Sequence, residues 1–236
     1  MYKRLEIGGK SCLLHVYGVP RLLFVQPTAR HEAKSMDEEL RLLESGCSCG
    51  FAFVAVELDD WVACLMPWSD DAVTRRMTRA PEAAATLYYI ERVLLPWLSS
   101  AYGPLPCVLG GYSLGGLFAL WASYVSAAFD GVSAVSPSVW IRDWGGFASS
   151  HCCGAKAVYL SLGDREEHAR NRRMAAVGDC IRRQYDELVA QLGEGGTVLE
   201  WNCGGHFDHE AERMARGFVW TAERVVTILS RDARYM

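Results

Sequence analysis

The sequence predicts an α/β fold: a mostly parallel, eight-stranded sheet with helices on both faces. Three observations predict it. Short apolar runs recur along the chain, segments of helical period stand between most of them, and a glycine-bracketed turn, Gly111-Tyr112-Ser113-Leu114-Gly115, joins one run directly to a helical segment. Strands that alternate with helices must be linked by right-handed crossovers, which run the strands parallel and place helices on both faces.

The chain opens antiparallel. Leu5-Glu6-Ile7 and Cys12–Tyr17 flank Gly8-Gly9, which reads as a hairpin closed off by Pro20. Leu22–Val25 is a short buried strand that Pro27 is expected to stop, followed by a helix near Met36–Leu43 and a strand at Phe51–Val56. Residues 57–82 show no clear period and carry Trp61, Pro67, Trp68 and several charges, so a long functional or mobile loop is expected there. Leu87, Ile90, Leu94 and Trp97 then share one helical face, with Pro96 near the helix end. Pro106–Leu109 is the strand entering the glycine turn, and Leu117, Leu120, Trp121 and Tyr124 mark the helix leaving it. Val132–Val135 and Ala157–Leu162 are strands, and Met174, Val177, Ile181, Tyr185 and Leu188 mark one amphipathic helix. Thr197–Trp201 is the last strand, before a helix carrying Met214, Phe218, Ala222, Val225 and Leu229. The hairpin and six later strands make eight. With no repeat or linker, residues 1–236 are expected to form one domain without room for a large cap.

Half the residues are hydrophobic and 22% are charged, the balance of an ordinary globular protein. The formal net charge of −4 gives no basic face for nucleic acid, and Arg75-Arg76, Arg172-Arg173 and Arg182-Arg183 read as solvated helix surfaces. No apolar stretch approaches the roughly 20 residues of a membrane span, and Met1–Glu6 lacks the apolar core of a signal peptide. Nine cysteines form no disulfide framework, and Cys47-Ser48-Cys49 and Cys152-Cys153 are too closely spaced for zinc; a reducing, cytoplasmic compartment is expected.

A serine hydroxyl is a weak nucleophile until a strained perch exposes it and a base sits beside it. A strand running through Gly-x-Ser-x-Gly into a helix supplies that perch for Ser113, with Gly116 extending the small-residue patch and Tyr112 expected to pack rather than react. The base must come from another strand-end loop. His206, between Gly204-Gly205 and Phe207 after the last strand, is best placed among the six histidines; His209, about one helical turn on, is the rival. Asp164, Glu166 and Glu167, after the preceding strand, are the candidate orienting acids.

These residues bear a resemblance. Gly111–Gly116, Ser136-Pro137-Ser138-Val139-Trp140, Gly163-Asp164-Arg165-Glu166 and Gly204–Phe207 together resemble the α/β-hydrolases, and within them the esterases related to esterase D and the siderophore (enterochelin-type) esterases. The resemblance covers most of the chain. It implies a serine esterase acting through a catalytic triad, with Ser113 as nucleophile, His206 as base and the acid at the fourth position of Gly-x-x-Asp/Glu, which is Glu166, with Asp164 second. The oxyanion donors would be the Leu114 amide and one just after the Leu22–Val25 strand, Thr28 or Ala29. Trp61, Trp68 and Trp140 are expected near the strand ends, with Trp68 and Trp140 lining the substrate cleft. The partner is a small-molecule ester, and no metal or organic cofactor is required. Arg30 and His31 are the groups after the Leu22–Val25 strand that could attract an anionic siderophore complex. The competing readings are an acyltransferase on the same scaffold and a non-catalytic binding protein; a peptidase fits less well.

Overall fold

The computed structural model describes residues 2–29, 33–74 and 79–232. Its strands are β1 (Lys3–Ile7), β2 (Lys10–Tyr17), β3 (Leu23–Ala29), β4 (Phe51–Leu58), β5 (Cys107–Tyr112), β6 (Gly131–Val135), β7 (Ala157–Gly163) and β8 (Thr197–Asn202). They form one sheet in the order β1-β2-β4-β3-β5-β6-β7-β8. β2 runs antiparallel to β1 and β4, and every later pairing is parallel. This is the expected α/β-hydrolase architecture, opening hairpin included.

The helices are α1 (Ala33–Gly46), α2 (Trp61–Leu65), α3 (Asp71–Thr74), α4 (Ala83–Tyr89), α5 (Leu95–Tyr102), α6 (Leu114–Val125), α7 (Trp144–Ser149), α8 (Arg172–Ala175), α9 (Val177–Leu192) and α10 (Glu210–Asp232). The sheet divides the apolar core in two. One face packs Val54, Leu109, Leu117, Leu120 and Ile181; the other packs Phe24, Phe53, Leu43, Met214 and Phe218. Both faces of the central strands are therefore buried, which is why those strands read as continuous apolar runs rather than alternating ones.

Several elements depart from the sequence expectation. Pro27 does not stop β3, which continues to Ala29. Leu22 accepts from the Ala52 amide of β4, while the Leu23 amide donates to Pro106, on the β5 side. By alternation the Pro27 nitrogen faces the β5 side, where pairing has already ended at Val25, so its missing N–H breaks no ladder bond. The 57–82 segment is not a structureless loop: α2 starts on the side chain of Asp60, which accepts from the Ala63 amide at 2.9 Å, and α3 follows. Arg75-Arg76 lie outside the described residues.

The helix after this segment holds a π turn at Ile90–Leu94. Its extra residue rotates the following turns, so the buried face runs Leu87, Ile90, Leu94, Leu98, and Trp97 points outward. Met174 likewise leaves the core: the helix breaks at Ala176, and Met174 sits in separate, exposed α8. α7 was not anticipated; its two consecutive glycines obscure its period.

Candidate active site

β3 pairs with β5 only from Leu23 to Val25, then continues alongside β4. The sheet thus opens at the carboxyl ends of these strands, and the residue after β5 enters the crevice. That residue is Ser113, with φ 57° and ψ −115°, a left-handed conformation unusual for serine. Its backbone is held from β6 and the loop beyond: its amide donates to Val135 (2.9 Å), and its carbonyl accepts from the Ser138 amide (3.1 Å). The elbow needs glycine: a Cβ on Gly111 would lie 2.3 Å from the backbone of Gly115, and one on Gly116 would lie 3.0 Å from the Gly111 carbonyl oxygen. Leu114 is the first residue of α6, so its amide has no acceptor within the helix and is available to an oxyanion.

His206 reaches Ser113 from the turn after β8. Gly204, at φ 117°, lets the chain double back, and Asp164 and Asp208 fix the turn by accepting from the Gly204 (2.9 Å) and Gly205 (2.8 Å) amides. The Tyr112 hydroxyl donates to the His206 carbonyl at 2.5 Å, and its ring meets the imidazole edge-on. Nε2 of His206 stands 3.0 Å from Ser113 Oγ, and Nδ1 stands 2.7 Å from Glu166 Oε2.

Glu166 opens a short 3-10 turn after β7 and is buried. Its Oε1 accepts from Ser136 Oγ (2.5 Å) and the Gly163 amide (2.8 Å), with Nη2 of Arg213 at 3.3 Å. Burial pushes its pKa up, but the hydrogen bonds from His206, Ser136 and Gly163 outweigh burial and hold it below the usual carboxylate value. The three candidate carboxylates therefore do different things. Glu166 meets the imidazole, Asp164 ties down the histidine turn, and Glu167 pairs with Arg182 at 2.9 Å. His209 is exposed and faces Glu212 across 3.7 Å, away from Ser113.

Two clefts flank Ser113, His206 and Phe207. The larger, about 330 Å³, adds Ser138, Trp140, Arg165, Met174 and Val177. The smaller, about 140 Å³, adds Gln26, Pro27, Trp61, Tyr112 and Glu210. Trp140 thus lies where the sequence placed it. Trp68 does not: it packs on Trp144 and Phe147, with its indole N–H bonded to the Arg142 carbonyl, and Trp61 is the indole beside the serine. The Thr28 amide is also misplaced as an oxyanion donor. By the alternation along β3 it points to β4, whereas the Ala29 amide points to the crevice side. Arg30 and His31 lie outside the described residues.

Nothing in the sequence pointed to Arg213 as a site neighbour, and Ser136 and Ser138 were signalled only as the two serines of the Ser-Pro-Ser-x-Trp stretch; the Ser138 hydroxyl lies 3.5 Å from that of Ser113. Buried Asp70 ties the 57–82 segment to this region by accepting from the Arg142 amide (2.7 Å) and pairing with Arg173, which also stacks over Trp140. Among the described residues no group of three or more His, Cys, Asp or Glu is placed to hold a metal, and no helix is long and apolar enough to cross a membrane.

Residues 52–212, more than half the chain, match the family model described as "Putative esterase". The chain belongs to that family. No curated protein sequence matches this esterase. Its fold is shared with siderophore hydrolase EstA from Aspergillus nidulans (19% identity, TM-score 0.70, 92% of this chain and 90% of that one). An IroE-like serine hydrolase from Shewanella oneidensis is also similar (14% identity, TM-score 0.69, 95% and 78%). So is enterochelin esterase from Shigella flexneri (19% identity, TM-score 0.66), of which the esterase, matched over 94% of its own length, spans 59%.

Proposed function

We propose that the chain is a single-domain serine hydrolase that cleaves carboxylic esters through an acyl-enzyme on Ser113, with His206 as base and Glu166 as orienting acid. The observation that carries this is the continuous contact from Ser113 Oγ through His206 to Glu166, at 3.0 and 2.7 Å. His206 Nε2 takes the hydroxyl proton as Oγ attacks the ester carbonyl carbon. Glu166 holds the proton on Nδ1 and stabilises the imidazolium that forms. The Leu114 amide, at the start of α6, receives the developing oxyanion. The imidazolium then protonates the departing alkoxide. Water, deprotonated by the same histidine, attacks the acyl carbon; the bond to Ser113 Oγ then breaks as the imidazolium returns the proton to Oγ, releasing the acid and free Ser113.

The larger cleft, with Trp140, Met174, Val177 and Phe207, suits an apolar or aromatic substituent, and the smaller one a compact group. Siderophore esters, the substrates named for EstA and the enterochelin esterase, belong in the first screen beside simple aryl esters. Buried, unpaired thiols such as Cys12 and Cys107 suit a reducing cytoplasm.

Intact-mass detection of fluorophosphonate labelling tests this reading. Wild type should take one label, and Ser113→Ala and His206→Ala none. Failure of folded wild type to label would overturn it. Adding acceptor alcohols to an ester assay distinguishes acyl transfer from hydrolysis.

A further inference from the structure

We propose that Arg213 is a positioning residue for the acid–base pair, gripping the carboxylate of Glu166 on one side and, through Tyr112, the backbone of His206 on the other. This rests on the proposed hydrolase reading. Arg213 lies on α10 beneath the crevice and is 1% exposed. Its guanidinium forks. Nη2 donates to Ser136 Oγ and lies 3.3 Å from Glu166 Oε1; Nη1 donates to the Tyr112 hydroxyl at 2.7 Å. Tyr112 passes the contact on to the His206 carbonyl at 2.5 Å. One planar cation therefore spans both partners of a 2.7 Å hydrogen bond that it does not itself join.

Two features distinguish this from packing. Nε of Arg213 has no protein acceptor among the described residues, so the fork leaves part of a buried charged group unsatisfied. Ser136, the third member, sits at φ 44°, a strained conformation for serine, and there its hydroxyl bridges Arg213 and Glu166. A lysine could supply the charge but not the fork.

The charge should be readable in the pH profile. Groups facing His206 or its turn are Glu166 from the turn after β7, Tyr112 from β5, Arg213 and Glu210 from α10, Arg165 across the larger cleft, and Asp164 and Asp208 at the turn. Arg213 is the buried cation opposing the Glu166 carboxylate. Without it that carboxylate attracts a positively charged imidazole with less opposition, which should move the acid limb of the rate profile to higher pH.

The experiment is steady-state ester hydrolysis across pH by wild type, Arg213→Met, Arg213→Lys and Tyr112→Phe, each checked for folding by near-UV circular dichroism. Arg213→Met should lower kcat about 10- to 100-fold with KM within about threefold, and move the acid limb of kcat/KM to higher pH. Arg213→Lys should restore the limb but not kcat, and Tyr112→Phe should lower kcat with the limb unmoved. If Arg213→Met does not fold, the other two decide. Wild-type kcat and limb in folded Arg213→Lys and Tyr112→Phe, or a folded Arg213→Met that loses activity with its limb unmoved, would overturn the proposal. Absence of fluorophosphonate labelling in wild type would instead overturn the hydrolase reading beneath it.

Discussion

Glu166 shows how one side chain can be bound by several partners and still have a single free task. Its Oε1 is saturated by Ser136 and Gly163, which leaves Oε2 to His206. Replacing it with glutamine keeps the shape but can stabilise the wrong imidazole tautomer. Glu166→Gln should lower kcat roughly 10²- to 10⁴-fold with KM little changed, read from initial rates on an aryl ester. The same carboxylate links stability to pH. Its native pKa is lowered from 4.5, so its contribution is fully present above that value and is lost as pH falls through the depressed native value. The stability gap between wild type and Glu166→Gln, measured by urea unfolding, should therefore shrink as pH falls below about 4.5; a gap that widened across that acid range would contradict this. Ser113 and His206 were legible because glycines beside each mark a turn that aims a side chain. Among the candidate acids, charge and position alone left Asp164, Glu166 and Glu167 open, since they share one short stretch; only the family resemblance, through the fourth position of Gly-x-x-Asp/Glu, ranked Glu166 first, and what distinguishes it physically is a contact 40 residues away. Arg213 was invisible for the same reason: it reads as one more charge on an amphipathic helix.

At the scale of elements, the 83–102 helix shows where periodicity misleads. A constant period predicts Trp97 on the buried face, but the π turn at Ile90–Leu94 passes that place to Leu98. Leu98→Ala should cost about 2–5 kcal/mol in urea unfolding, the range for an aliphatic side chain removed from a full core. Trp97→Ala, at a position 38% exposed, should cost clearly less. Equal losses would mean that the face had not rotated. β3 carries the complementary lesson. Proline is a sound stop signal where its nitrogen would have to donate, and Pro27 sits on the side where no donation is needed. The sequence shows the proline, but its harmlessness depends on where β5 leaves β3, a property of the assembled sheet.

Over the whole molecule, alternation of strand and helix was enough to read the eight-stranded α/β sheet, because crossover connections leave few other solutions. Strand order was beyond the pattern, including the exchange that puts β4 between β2 and β3. Order matters most for the site, whose contacts join distant positions: Ser113 to His206 across 93 residues, and Arg213 to Tyr112 across 101. Closing such loops is slow compared with forming helices. During refolding, helical circular dichroism should therefore recover first and fluorophosphonate reactivity afterwards, on the timescale at which α10 docks against β5. Simultaneous recovery would mean that the serine is activated before its distant partners arrive. On the proposed mechanism, the long span between Ser113 and His206 works as a safety catch: a half-folded chain displays Ser113 but cannot fire it, so neighbouring esters are spared until the sheet and its last helix have come together.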